Sequence, residues 1–193
     1  DPNEVSDDGT VARKGISVSD DGKYLAYTIS RSGSDWEEIY VMDVKTQKLL
    51  PDHIVWAKFT GADWQGDGFY YSAYDAPEKG KETSAKNEIQ KVYYHKMGTP
   101  QSQDQLFYQN PANPLRFYGV GVNKEETMMF LTESGMDQGI NLFVRDLRQP
   151  NSQFIQMTGD CSKTYSPVEI IGDDIYMLTN AGAQKYRLMV ANL

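Results

Sequence analysis

The chain has 193 residues, 39% hydrophobic and 24% charged, with a formal net charge of −8. Those proportions suit a folded globular chain and exclude a disordered one. The acidic balance excludes a nucleic-acid binder, which needs a basic face to displace counterions, and gives no attraction to an anionic membrane surface.

The 13 tyrosines, 7 phenylalanines and 3 tryptophans favour β-structure, because aromatic rings pack well on pleated faces. Residues 1–10 are polar and turn-rich and read as a connection into the first full unit. That unit begins with Ile16-Ser17-Val18-Ser19, turns at Asp20-Asp21-Gly22, and continues through Lys23-Tyr24-Leu25-Ala26-Tyr27-Thr28. Asp-Gly between two β-rich runs is a strong hairpin signal, since both residues tolerate the positive φ that tight turns need. A polar loop with Gly33-Ser34-Asp35-Trp36 follows, then Ile39-Tyr40-Val41-Met42-Asp43-Val44 and a short strand at Leu49-Leu50.

The pattern returns three times. The second unit has a strand at Ala62-Asp63-Trp64, a turn at Gln65-Gly66-Asp67-Gly68, and strands at Phe69-Tyr70-Tyr71-Ser72-Ala73-Tyr74, Lys91-Val92-Tyr93-Tyr94-His95 and Gln105-Leu106-Phe107-Tyr108. Its insert, residues 75–88, is rich in Lys, Glu, Gly and Ser without apolar periodicity, and is expected to be an exposed, mobile loop. The third unit has strands over 119–122, 128–132, 141–144 and 154–157, with Asn123-Lys124-Glu125-Glu126 in place of Asp-Gly. The fourth has strands at Val168-Glu169-Ile170, 175–179 and 186–190, a turn at Gly172-Asp173-Asp174, and no clear fourth strand.

Turns at Gly22, Gly68, Glu126 and Asp174 recur at roughly 45 to 60 residues, the period of propeller blades. No long stretch shows helical periodicity. The expected fold is all-β: a partial β-propeller of about four four-stranded antiparallel blades, at 12–52, 57–109, 116–158 and 165–193. A stacked β-sandwich is also compatible with the turn spacing. Blades are buried on both faces, which accounts for runs such as Met128-Met129-Phe130-Leu131. An open array leaves raw blade faces, so self-association or closure by a partner is expected.

Reactive groups are sparse. No Gly-x-Ser-x-Gly elbow exists for a serine nucleophile, and no phosphate-cradling glycine loop is present. The histidines are His53, expected at the surface, and His95, expected to be a packed or hydrogen-bonded strand residue; neither has a partner carboxylate at readable spacing. Paired carboxylates such as Asp20-Asp21 and Asp173-Asp174 sit in turns, where Asp caps its own backbone. The single cysteine, Cys161, permits no internal disulfide and no cysteine metal site, so neither metal nor cofactor is expected. Low cysteine usage suits the cytoplasm and a bacterial periplasm alike, and the compartment stays open. The Asp35-Trp36 loop reads either as an ordinary blade connection anchored by Trp36 or as a surface facing a partner; composition favours the first.

Several stretches together resemble the prolyl oligopeptidases, serine peptidases that cut short peptides after proline. They are Asp1-Pro2-Asn3 with Asp8-Gly9-Thr10-Val11-Ala12, Ser19-x-Asp21-Gly22-x-Tyr24-x-Ala26-Tyr27, and Ser32-Gly33-Ser34-Asp35-Trp36. Lys91-x-Tyr93-Tyr94-His95-x-x-Gly98-Thr99-x-Gln101-Ser102-x-Asp104 and the Glu82-Thr83-Ser84 insert continue the likeness, which is specific to about Tyr108 and looser beyond Asn110.

In that family a seven-bladed propeller caps an α/β-hydrolase domain carrying Ser, Asp and His. The resemblance implies that this chain is about four blades of the cap, without the catalytic domain and inactive alone, and that the cap filters substrates by size. A stand-alone propeller acting as an interaction scaffold is the other reading. The implied partners are the chain's own hydrolase domain and short proline-containing peptides. The resemblance also implies that Phe59 lines the pocket for the side chain two positions before the proline, with Phe117 and Met136 as further liners. Plain blade core is the other reading of all three. Asp35 and Trp36 are implied to face the hydrolase domain, and Lys14 stands where the family often has Arg. Lys keeps the charge there but loses the planar fork.

Overall fold

A computed structural model describes residues 10–82, 84, 86–136 and 139–193. The leading motif before Thr10 and the Thr83 position of the insert lie outside the described residues. Among the described residues, every regular element is an antiparallel strand apart from one 3-10 turn, Gln101–Gln103. The chain divides into two compact units, Asp1–Pro114 and Leu115–Leu193.

The first unit opens with β1 (Val11–Val18), β2 (Tyr24–Arg31), β3 (Glu37–Asp43) and β4 (Lys48–Ala57), paired in chain order. The β1–β2 turn works as its residues suggest. Gly22 has φ 71, the Gly22 N–H donates to the Ser19 carbonyl at 2.8 Å, and the Ser19 hydroxyl donates to the Asp21 carboxylate. Register then sorts side chains with period two. Ala26 lies opposite Val41 and Thr28 opposite Ile39, all buried, while Tyr27 and Tyr40 pair on the other face with rings stacked at 5.6 Å. Tyr40 also stacks on His53 at 4.3 Å, and Glu38 accepts hydrogen bonds from Arg31 and from the Tyr40 hydroxyl on that same face.

β4 is far longer than the two-residue strand expected at Leu49-Leu50. Pro51 lacks an N–H, and the ladder with β3 shifts register around it before resuming at His53 and Ile54. Polar Asp52 and His53 interrupt the apolar pattern by which such a strand is recognised.

The remaining strands of this unit are β5 (Asp63–Gln65), β6 (Gly68–Ala73), β7 (Lys91–Lys96) and β8 (Gln105–Gln109). Ala57 at the end of β4 pairs with Ala73 of β6, so the hydrogen bonds run through all eight strands instead of stopping between two separate sheets. β6 is buried along its whole length, and Phe69 and Tyr71 meet Ile39, Val41 and Ile54 in one apolar core. Full burial of each such side chain is worth about 1.5–3 kcal/mol.

The second unit holds a four-stranded sheet, β9 (Phe117–Val122), β10 (Met128–Ser134), β11 (Ile140–Asp146) and β12 (Ile155–Gln156), and a three-stranded one, β13 (Tyr165–Ile171), β14 (Asp174–Thr179) and β15 (Arg187–Asn192). The β9–β10 turn lacks glycine, so Glu126 itself takes the left-handed conformation, φ 52. Buried Asn123 holds that turn: its side-chain oxygen accepts from the Thr127 and Met128 N–H groups. Gly121 lies directly opposite Phe130, whose ring occupies the space a β-carbon would need. Met128, Leu142, Val144, Ile170, Ile175 and Met177 form the core. The outer sheet leaves Ile171, Leu178, Leu188 and Val190 exposed.

Candidate functional site

Two loops of the first unit build the most chemically distinctive surface. Between β2 and β3 the chain reverses through Ser32 (φ 52) and Gly33 (φ 69), and the Ser34 hydroxyl accepts from the Trp36 N–H at 3.1 Å. Trp56 (φ 59), next to last in β4, and Phe59 (φ 55), just beyond it, both adopt the left-handed region. Bulky residues there are strained, a condition that clusters at binding sites.

Lys58 joins the two loops. Its ammonium lies 3.5 Å from the Asp35 carboxylate, 5.2 Å from the centre of the Trp36 ring and 5.4 Å from that of Phe59. Its side chain is only 11% exposed, whereas Asp35 is 71% exposed and Phe59 56%. Trp36 is held on three sides. Its indole N–H donates to the Glu82 carbonyl at 2.6 Å, and its ring meets Trp56 edge-on at 5.3 Å and Tyr74 at 6.2 Å.

Glu37 sits under this group, buried, and accepts from the Thr60 N–H at 3.4 Å. Burial pushes its pKa up; the Thr60 N–H and the positive charges of Lys14 and Lys58 hold it down in part. Lys14 is the residue at which the β1 ladder skips, between Arg13 and Gly15, and it acts on the site through Glu37.

Four of the six residues singled out in the sequence therefore share one locality: Asp35, Trp36 and Phe59 around Lys58, with Lys14 reaching it through Glu37. Phe117 and Met136 belong to the second unit. Phe117 opens β9, half-buried opposite Ser134, and Met136 follows the end of β10, 88% exposed. Beside them is a polar cavity of about 600 Å³ lined by Arg116, Gly139, Asp160, Cys161, Ser162, Thr164 and Asn180. Cys161 itself is buried, which pushes its thiol pKa up.

His95 is a packed, hydrogen-bonded strand residue, as expected, and it has two carboxylate partners. Its Nδ1 lies 2.7 Å from Asp104 and its Nε2 3.1 Å from Asp52, with the three side chains almost wholly buried. The Tyr71 hydroxyl donates to the other Asp104 oxygen at 2.7 Å, and the Gly98 N–H donates to Asp52 at 2.5 Å. Burial disfavours the imidazolium, but the hydrogen bonds to Asp104 and then Asp52 outweigh it, and the pKa of His95 is raised. When protonated, the ring donates from both nitrogens, and neither is then free to act as a base or a metal ligand, as befits a structural clamp.

Asp104 was discoverable: Tyr94 pairs with Gln105 across β7–β8, which aligns the next residues, His95 and Asp104. Asp52 lies 43 positions away from His95 and Lys58 lies 23 from Asp35, with no local signal for either pairing.

The sequence model of the family described as prolyl oligopeptidase, N-terminal beta-propeller domain, matches residues 1–193. The chain belongs to that family. It is 34% identical over 190 residues to the prolyl endopeptidase of Elizabethkingia meningoseptica, covering 98% of this chain and 27% of that protein. It is 31% identical over 216 residues to prolyl oligopeptidase A of Galerina marginata, covering 100% and 29%. Among solved structures it is similar to a prolyl endopeptidase studied for inter-domain dynamics in catalysis and specificity, with TM-score 0.86, 29% identity and coverage of 100% and 27%. It is also similar to prolyl oligopeptidase B of Galerina marginata bound to a 35mer hydrolysis and macrocyclization substrate, with TM-score 0.87, 25% identity and coverage of 100% and 29%.

The antiparallel sheets are thus those of the prolyl oligopeptidase propeller, and these 193 residues correspond to its non-catalytic part. A free-standing scaffold is not the reading these likenesses favour. The chain spans little more than a quarter of the relatives' length, 27% and 29% in the two named.

Proposed function

We propose that this propeller segment screens substrates for a serine peptidase that cleaves short peptides after proline, in partnership with an α/β-hydrolase domain carrying the catalytic residues. The family match over residues 1–193 carries the reading. The relatives are prolyl endopeptidases, and one solved neighbour holds a peptide substrate. In this reading segments 12–52, 57–109, 116–158 and 165–193 are successive blades. The exposed Leu178, Leu188 and Val190 face is covered by the following blade, or by a second copy when that blade is lacking.

Phe59 forms a wall of the pocket for the substrate side chain two positions before the proline, with Phe117 and Met136 as further liners; Asp35 and Trp36, with Lys14 nearby, face the hydrolase domain. The outward ring of Phe59, held in a strained backbone conformation, supports that role.

Two measurements test this reading. The polypeptide 1–193 alone should release no product from a proline-containing chromogenic peptide, since it has no nucleophile elbow. Robust turnover by it would refute the assignment. In the full-length peptidase, Phe59→Ala should raise KM about tenfold for peptides with a large apolar side chain in that pocket, leaving kcat near its original value. An unchanged kcat/KM across such peptides removes Phe59 from the pocket.

A further inference from the structure

We propose that the polar cavity at one end of the second unit's two sheets is a further recognition site, which takes a carboxylate of the peptide substrate with Arg116 as its cationic partner. The carboxylate belongs to an acidic residue lying further from the proline than the side chain in the pocket. The proposal rests on the reading of Phe117 and Met136 as liners of that pocket.

Strand register assembles the site. Phe117 at the start of β9 and Ile140 at the start of β11 both pair with Ser134, the last residue of β10. In the other sheet Tyr165 opens β13 opposite Thr179, the last residue of β14. The residues just beyond these strand ends, Arg116, Gly139, Thr164 and Asn180, all line the cavity. The Gly139 N–H donates to the Cys161 carbonyl at 2.6 Å, which joins the two sheets at this end. A volume of about 600 Å³ lies in the range of small-ligand sites and has room for an acidic side chain.

Arg116 supplies a charge with no internal partner. Among the described residues the arginines with a carboxylate within 4 Å are Arg31 and Arg148, and Arg116 is not one of them. Its head lies over Gly135, where a β-carbon would come within 2.7 Å of Nη1. The nearby acids are engaged elsewhere. Glu133 accepts from the Tyr118 hydroxyl at 2.9 Å and from the Asn141 amide at 3.5 Å. Asp160, which also lines the cavity, accepts from the Ser162 N–H at 2.8 Å, and the positive charge of Lys163 acts on it. Of the charges acting on the Cys161 thiol in the cavity wall, Arg116 acts most strongly, ahead of Glu133 and Asp160.

Further donors line the same cavity. The Asn180 side-chain oxygen accepts from the Thr164 N–H at 2.9 Å. That bond fixes the amide and leaves its NH2 group, like the Thr164 hydroxyl, without a partner among the described residues. A carboxylate can accept two parallel bonds from a guanidinium and still has lone pairs for such donors.

The test compares the full-length peptidase with its Arg116→Gln, Arg116→Glu, Asn180→Asp and Phe117→Ala variants. Matched proline peptides carry Glu or Gln at the third, fourth or fifth position before the proline, and the Glu/Gln ratio of kcat/KM is read at each. At one of these positions the natural enzyme should favour Glu about fivefold, through KM, with kcat within about twofold. Arg116→Gln should bring that ratio to about one, and Arg116→Glu should reverse it. Asn180→Asp keeps an acceptor for the Thr164 N–H but replaces the NH2 donors with an oxygen, so it should lower the ratio about threefold. A general loosening of the fold would reduce both peptides' rates together and leave the ratio standing.

A ratio of one at all three positions in the natural enzyme refutes the site, as does a preference for Glu that survives Arg116→Gln. Should Arg116→Gln fail to fold, Asn180→Asp decides: an unchanged ratio there refutes the site. Phe117→Ala, assayed on peptides with a large apolar side chain or glycine in the pocket, separates the two readings. A lowered preference for the large side chain, with no preference for Glu in the natural enzyme, overturns the carboxylate site and leaves the pocket intact. An unchanged preference for the large side chain overturns the pocket reading, and this proposal falls with it.

Discussion

His95→Ala should destabilise the protein by about 3–5 kcal/mol, because it leaves two buried carboxylates facing each other with no cation between them. Asp52 and Asp104 come from β4 and the segment before β8, so the imidazolium ties together strands that are remote in the chain. The Gly98 N–H and the Tyr71 hydroxyl remain, but neither carries the charge that makes two carboxylates tolerable at this depth. The change should appear as a lower urea midpoint and a fall of about 6–20 °C in Tm by circular dichroism. A loss under about 1 kcal/mol would mean that the cluster is not a clamp.

The same cluster gives a pH dependence of known sign. The pKa of His95 is raised in the folded state above its ordinary 6.5. The folded chain therefore holds this proton more tightly than the unfolded one, and protonation favours folding. That stabilisation is complete below about pH 6.5 and is lost as pH climbs through the higher folded-state pKa. Once neutral, the ring can donate to only one of the two carboxylates. The stability gap between the natural protein and His95→Gln should shrink between pH 6 and pH 9 in urea titrations. A gap that widens with pH would contradict the assignment.

The second large effect is expected in the other unit. Leu142→Ala should cost about 2–5 kcal/mol and fall in the upper half of that range. Leu142 is fully buried among Met128, Val144, Ile170, Ile175 and Met177. Its backbone is anchored on both sides: its N–H donates to the Thr158 hydroxyl at 3.0 Å, and its carbonyl accepts from the Met157 N–H at 2.9 Å. The strand cannot move in to fill the hole, and a cavity that does not collapse carries the full penalty. Ile155→Ala, on the exposed edge strand β12, serves as the control, with a change within about 0.5 kcal/mol. Equal effects in the two variants, read from denaturant unfolding, would show that the second unit has no core at Leu142.

Much of the fold was legible before any coordinates. Asp-Gly turns, aromatic β-rich runs and a long repeat period point to antiparallel sheets, and the motifs from Ser19 to Asp104 point to the family. Even the turn without glycine was readable, because Asn123 is the residue type that caps its own turn. β4 was misjudged in length, since Asp52 is buried for a reason that its neighbours do not reveal.

Among the candidate residues, Asp35, Trp36 and Phe59 carried a signal through resemblance, and Lys58 carried none. Its place beside them comes from a carboxylate 23 positions earlier and two aromatic faces brought to one point. Sequence by itself therefore determined what is encoded over a few residues: turn chemistry, strand alternation and family membership. Tertiary structure decided which charges are buried and which partners they meet. The reason is that desolvation and Coulomb attraction depend on distances through space, set by the register of strands lying tens of residues apart.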